Sequence, residues 1–152
     1  MRRISGLLSA QVGMGLALPV VLVVASAVVG GCAPAGLMGL NKDSPAAVKQ
    51  ATVGKRAEER WQAVIRGDYE AAYAYFTPAS REVIPAGGFA ARMAVIPYRA
   101  AKVDKVECEE EVCTVSLTLT YDFPPMKMKN IATPLQENWL IERGQAWLVF
   151  RG

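Results

Sequence analysis

Histidine is missing altogether from the 152 residues. Its absence excludes a Ser-His-Asp or Cys-His catalytic device and any zinc centre built on imidazole. Cysteine is scarce, at three residues, and none of the spacings is the C-x-x-C of a redox pair. Without histidine, Cys108 and Cys113 cannot complete a tetrahedral metal site, so neither a metal nor a cofactor is expected. Clustered positive charge is lacking as well. The formal charge of +3 comes from 17 basic and 14 acidic residues, and it includes Arg2 and Arg3. Without those two, 15 basic residues face 14 acidic ones. That balance is too even for a nucleic-acid footprint. There is no internal repeat and no long low-complexity segment.

What the chain does have is one long apolar run. No charge falls between Ile4 and Ala35, and Leu16–Cys32 reads LALPVVLVVASAVVGGC. Two arginines, an apolar segment and small residues at its end form the pattern of a secretory signal. The run is also long enough for a plain transmembrane anchor, which needs about 20 apolar residues. Its end separates the two readings. Gly30 and Gly31 each cost a helix about 1 kcal/mol relative to alanine, and no aromatic or basic anchor directly follows. Val29-Gly30-Gly31-Cys32 resembles a bacterial lipobox, where signal peptidase II cuts before a lipid-modified cysteine. The resemblance implies a signal peptide over 1–31 and palmitate-type acyl chains on Cys32. Ala33 after it resembles the outer-membrane-directed pattern. The expected location is therefore the bacterial cell envelope, lipid-anchored at the outer membrane and facing the periplasm. Acyl chains bring about 0.8 kcal/mol per buried CH₂ to that anchorage.

Removing 1–31 leaves enough chain for one domain with a proper core. Cys32 taken by lipid leaves Cys108 and Cys113 as a pair in VECEEEVCTV, and an oxidising envelope permits a disulfide. The spacing suits two strand ends joined by a tight acidic loop, so a structural staple is favoured over two free thiols.

Residues 32–52 are rich in Pro, Gly, Ala and Ser without a sustained period and read as a tether, with room for a short helix in SPAAVKQA. A single domain is expected over 53–152. The first clear helix covers 53–66, with Ala57, Trp61, Val64 and Ile65 on one face. Gly67 is a natural stop and Asp68 a natural cap. A second helix is predicted over 69–76, and Thr77-Pro78 opens a third. Gly87-Gly88 marks a loop, followed by one or two helical turns before Pro97. Beyond Pro97 the period changes to 2. Strands are predicted over 102–108, with Val103, Lys105 and Glu107 on one face, then over 112–123, 131–143 and 145–151. Helices first and an antiparallel meander after them define an α+β domain, with N-terminal helices packed on a four-stranded sheet.

The segment from Ala57 to Pro78, AEERWQAVIRGDYEAAYAYFTP, resembles the opening of ketosteroid-isomerase-like domains of the nuclear transport factor 2-like superfamily, in particular uncharacterised proteobacterial lipoproteins. Trp139 and the closing Gly144-Gln145-Ala146-Trp147 fit that resemblance. It implies a curved, cone-like sheet around a helix with a pocket at the open end. Enzymes of that superfamily use an Asp, or a His/Asp pair, with Tyr. The counterparts by residue type are Asp104, Asp122, Tyr73, Tyr75, Tyr98 and Tyr121, and no motif carries a catalytic role onto any of them. Candidate pocket residues are Trp61, Tyr73, Phe76, Tyr98, Tyr121 and Asp122. At helical spacing the aromatics read first as core. Glu107, Glu109, Glu110 and Glu111 read as a solvated hairpin tip rather than a cation site. Met126-Lys127-Met128-Lys129 is either a plain exposed loop or a contact for lipid headgroups or a partner. The expected function is a non-enzymatic, membrane-anchored binding or interaction module. Its partner would be an envelope protein or a small apolar ligand. The alternative is a small isomerase- or dehydratase-type enzyme, or a carrier, using an apolar cone pocket.

Overall fold

The computed structural model describes residues 39–151. The expected signal segment, the lipobox-like motif with Cys32 and the first part of the expected tether lie outside the described residues. Four helices come first: α1 (Ala46–Ile65), α2 (Tyr69–Tyr73), α3 (Pro78–Val83) and α4 (Ala86–Ala94). Four strands follow: β1 (Tyr98–Glu109), β2 (Val112–Phe123), β3 (Met128–Glu142) and β4 (Gln145–Val149). They pair in sequence order, each antiparallel to the next. This is the expected α+β architecture. Among the described residues no helix is long and apolar enough to cross a membrane.

Two local signals work as the sequence implies. Asp68 Oδ1 accepts the Ala71 N–H at 3.1 Å, and Thr77 Oγ1 accepts that of Ser80 at 3.0 Å. Both satisfy donors that a helix start leaves orphaned. Gly67, at φ 77°, turns the chain out of α1.

Three expectations need correction. The first helix begins at Ala46, not Val53, and Lys49 and Val53 already belong to its buried face. The cause is Lys49, whose ammonium donates to the carbonyls of Lys42 (2.5 Å) and Glu110 (2.7 Å) and so fastens the first turns to the β1–β2 hairpin. Gly87 and Gly88 are not a loop: they form the first turn of α4, where their low propensity matters least. The third correction concerns β1. Val103 faces Leu117 while Lys105 faces Ser116, so Asp104 is an extra residue in the ladder. This bulge reverses the alternation. Val103 and Val106, expected on opposite faces, are both half-buried and packed against the core.

The core lies between α1 and the sheet. Val53, Ala57, Trp61 and Val64 of α1 meet Cys113, Val115 and Leu117 of β2, Trp139 and Ile141 of β3 and Leu148 of β4. Each large side chain so buried is worth about 1.5–3 kcal/mol. Cys108 and Cys113 are cross-strand partners at the closed end of the first hairpin and are joined as a disulfide. The outer edge of β4 is partly covered. Leu148 N–H donates to the Tyr75 carbonyl (2.8 Å) and the Leu148 carbonyl accepts from Thr77 N–H (2.9 Å). Ser80 Oγ, buried, accepts the Phe150 N–H at 2.9 Å and holds the chain end in place.

Candidate functional site

At the end of the core opposite the disulfide hairpin is a cavity of about 310 Å³. α1 contributes Arg60 and Trp61, α4 contributes Phe89, Arg92 and Met93, and all four strands reach it, through Tyr98, Leu119, Glu137 and Leu148. Phe150 and Arg151 close it beyond β4. A larger groove of about 610 Å³ runs along the other side of α1, but its walls are Lys55, Glu58, Glu59, Gln62 and Arg66. Four of these five carry charge and all five face water, so beside Ala63, Ala71, Tyr75 and Ala101 the groove offers little to exclude solvent.

The cavity wall is built around a buried ion pair. Arg60 Nη1 lies 2.6 Å from Glu137 Oε1, and the two side chains are only 5% and 6% exposed. Glu137 is further held by indole donors, Trp61 Nε1 to Oε1 at 2.9 Å and Trp139 Nε1 to Oε2 at 3.1 Å. Three donors thus occupy most of the roughly four acceptor positions of a carboxylate. The guanidinium is also stacked, with its carbon 4.9 Å from the Trp61 ring centre, 5.5 Å from Phe76 and 5.8 Å from Phe89. Ring faces replace part of the hydration that burial removed. Burial pulls the Arg60 guanidinium below its ordinary range, and the charge of Glu137 opposes that pull.

Of the candidate pocket residues, Trp61, Phe76 and Tyr98 line the cavity. Trp61 and Tyr98 meet edge to face at 5.3 Å, and Phe76 meets Phe89 in the same way at 5.3 Å. Burial pushes the Tyr98 phenol up, and the neighbouring Tyr121 adds to that. Tyr73, Tyr121 and Asp122 stand outside the lining. Tyr73 stacks behind Phe76 and Phe89 and directs its hydroxyl to the carbonyls of Arg81 and Ile84. Tyr121 sits behind Tyr98 at 6.1 Å and accepts from the Thr133 hydroxyl. Asp122 is taken up by Arg99 (2.7 and 2.9 Å) and the Asn130 N–H (3.0 Å). Those contacts, the backbone donor first, hold its carboxyl below the ordinary range. Asp104 is likewise held down, mainly by the Thr118 hydroxyl and then by Lys102. A carboxylate base of the isomerase type needs the opposite, a desolvated group with a raised value.

Sequence reasoning missed Arg60, Glu137 and Phe89. The signal for the first two was present. Arg60 falls on the same stripe as Ala57, Trp61 and Val64, and Glu137 shares the inward face of β3 with Trp139 and Ile141. Charged residues at apolar-periodic positions announce a buried pair; the presumption that charges face water hid it.

An α+β domain with its helices against a four-stranded meander, holding a cavity with a buried ion pair in its wall, is the class this chain defines. The fold is similar to the solution structure of a SEC-C motif containing protein from Rhodopseudomonas palustris. The TM-score is 0.52 at 12% identity, over 62% of this chain and 73% of that one. A crystal structure from Campylobacter jejuni, of a protein described as an NTF2-like transpeptidase, gives a TM-score of 0.49 at 5% identity, over 62% of this chain and 94% of that one. At 12% identity the likeness to the first protein is one of fold alone. No protein-family model matches the sequence, and no curated protein matches it.

Proposed function

We propose that this protein is a lipid-anchored envelope protein whose folded domain is a non-enzymatic binding module. It takes a small ligand with an apolar body into the cavity between α1, α4 and the sheet. The observation that carries this reading is the cavity itself. Its volume of about 310 Å³ is at the lower end of the range for ligand sites, and it combines aromatic and aliphatic walls with a few convergent polar groups, as such sites do. The anchor rests on the lipobox pattern ending at Cys32 and the outer-membrane placement on Ala33 after it, and the Cys108–Cys113 disulfide suits an oxidising compartment.

A neutral alkyl diazirine, photolysed with the full-length protein in its membrane, tests the cavity. The label is expected on peptides carrying Met93 and Leu119, and the cavity-filling Leu119→Trp should abolish it. Labelling confined to exposed peptides would overturn the ligand reading and leave a partner protein as the occupant to seek. Mass spectrometry of the membrane fraction should find an acylated N-terminal Cys32; an N-terminus at Met1 would refute the anchor.

A further inference from the structure

The two ends of the sheet carry opposite free charge. Where β1 turns into β2, Glu109, Glu110 and Glu111 are exposed and make no ion pair among the described residues. Where β2 turns into β3, Lys127 and Lys129 are exposed and equally unpaired. The other lysines of the described residues are all engaged. Lys42, Lys55, Lys102 and Lys105 each have a carboxylate within 3.8 Å, and Lys49 is held by two carbonyls. Arg99 adds a third cation to the basic end. Its partner Asp122, the one acid of that turn, lies largely beneath it at 13% exposure.

Apolar side chains stand open among these cations. Met126 is 67% exposed and Met128 45%. Val95, just ahead of the Pro97 carbonyl that accepts the Asp122 N–H, is 74% exposed. The loop is firmly shaped: Pro124–Met126 form a 3-10 turn, Lys127 and Asn130 take left-handed backbone conformations, and the Asn130 N–H is fastened to Asp122. A preformed surface loses little freedom on docking. Adaptable methionines alternating with lysines suit the boundary between headgroups and acyl chains, where apolar burial and attraction to anionic lipid act together.

The path of the chain permits that contact. Leu40 bridges to Gly144 in the β3–β4 turn, so the chain enters the domain at its acidic end. Cys32 lies seven positions before Gly39, a reach of at most about 25 Å. The 12 residues of β2 carry the basic end about 40 Å further. A domain held at Cys32 can therefore keep its acidic hairpin well beyond a Debye length of about 8 Å from a bilayer while its basic end rests on it.

We propose that the basic, methionine-bearing end is a second membrane contact. Lys127 and Lys129 lie among anionic phospholipid headgroups, and Met126, Met128 and Val95 enter the boundary beneath them. This rests on the acyl anchor proposed above, which supplies the bilayer, and is independent of what fills the cavity.

The test uses the full-length acylated protein in vesicles of phosphatidylcholine, and in vesicles of equal parts phosphatidylcholine and phosphatidylglycerol. A water-soluble acetylating reagent reports each lysine by mass spectrometry, with Lys55 and Lys105 as exposed references. On the anionic vesicles Lys127 and Lys129 should react about fivefold more slowly, relative to the references, than on the neutral ones. High salt should remove most of that protection. M126S/M128S, which keeps both amines, should lose most of it too. Equal relative rates on the two vesicles, or protection undiminished in M126S/M128S, would overturn the contact. Lysines equally reactive on both vesicles but blocked in native membranes would give the surface to an acidic protein instead. A protein that floats with neutral vesicles yet shows equal rates keeps the anchor and loses this contact; one that floats with neither vesicle loses both.

Discussion

Arg60 of α1 and Glu137 of β3, 77 positions apart in sequence, form an ion pair 2.6 Å long that is almost closed to water. Two indoles complete it, so the pair links the helix to the sheet by polar contacts as well as by packing. Removing two charges from water costs several kcal/mol per ion, and a well-bonded pair roughly repays it. A half-pair does not. Glu137→Ala, which strands the guanidinium, should therefore lower stability by about 3–5 kcal/mol, whereas R60M/E137L should fall far less. Urea unfolding of both variants checks this. A double variant no more stable than the single one would mean that the indoles and packing, not the charge balance, make the site.

The Cys108–Cys113 bridge has a smaller task. The two residues are already cross-strand partners next to a tight turn, with Glu110 at φ 48°. A loop this short limits the entropic gain to about 2 kcal/mol. Reduction, or a Cys108→Ala/Cys113→Ala pair, should lower the unfolding free energy by no more than that and leave the fold intact. Circular dichroism of the reduced protein showing lost sheet would contradict this.

Much of the fold was legible because local chemistry and tertiary demand agreed. β2 runs over Val112–Phe123 as its alternation implies, burying Cys113, Val115 and Leu117, and the Asp68 and Thr77 caps act through their own neighbours. What was hidden depends on distant partners. The start of α1 is decided by carbonyls at Lys42 and Glu110 that receive the Lys49 ammonium. Asp104 enters β1 as a bulge that period-2 counting cannot register, because Lys102 and the Thr118 hydroxyl of the neighbouring strand hold its side chain. The site was half legible. Aromatic spacing brought out Trp61 and Phe76, while the charges between them gained meaning only once α1 and β3 were side by side.

Glycines separate close approach from mere flexibility. A Cβ on Gly39 would stand 2.6 Å from the Gly144 Cα, at the point where Leu40 N–H donates to the Gly144 carbonyl at 3.0 Å. Gly87 and Gly88, in the first turn of α4, have open space around them. Gly39→Ala should therefore release the segment before α1 from the β3–β4 turn, seen as lost hydrogen-exchange protection at the Leu40 amide. Gly87→Ala should instead stabilise by about 0.4–1 kcal/mol, by restricting the unfolded chain. An unchanged Leu40 amide in Gly39→Ala would show that the turn can move aside without cost.

Asp122 links acid sensitivity to the β2–β3 turn. Its carboxyl accepts the N–H of Asn130, which lies at φ 53°, and holds Arg99 across the sheet. With Asp104 it is held below the ordinary aspartate value of 3.8. A depressed carboxyl binds fewer protons folded than unfolded, so stability rises with pH across that window. The contribution is complete above 3.8 and is lost as pH falls through the lower, folded values. Asp104 is open to solvent and Asp122 lies under an Arg99 that is itself open to water, so the effect should be modest and should shrink with added salt. The double variant D104N/D122N should start from a lower urea midpoint at neutral pH and then lose less of it than the parent on acidification below 3.8. Equal losses in the two proteins would assign the acid sensitivity to other carboxylates.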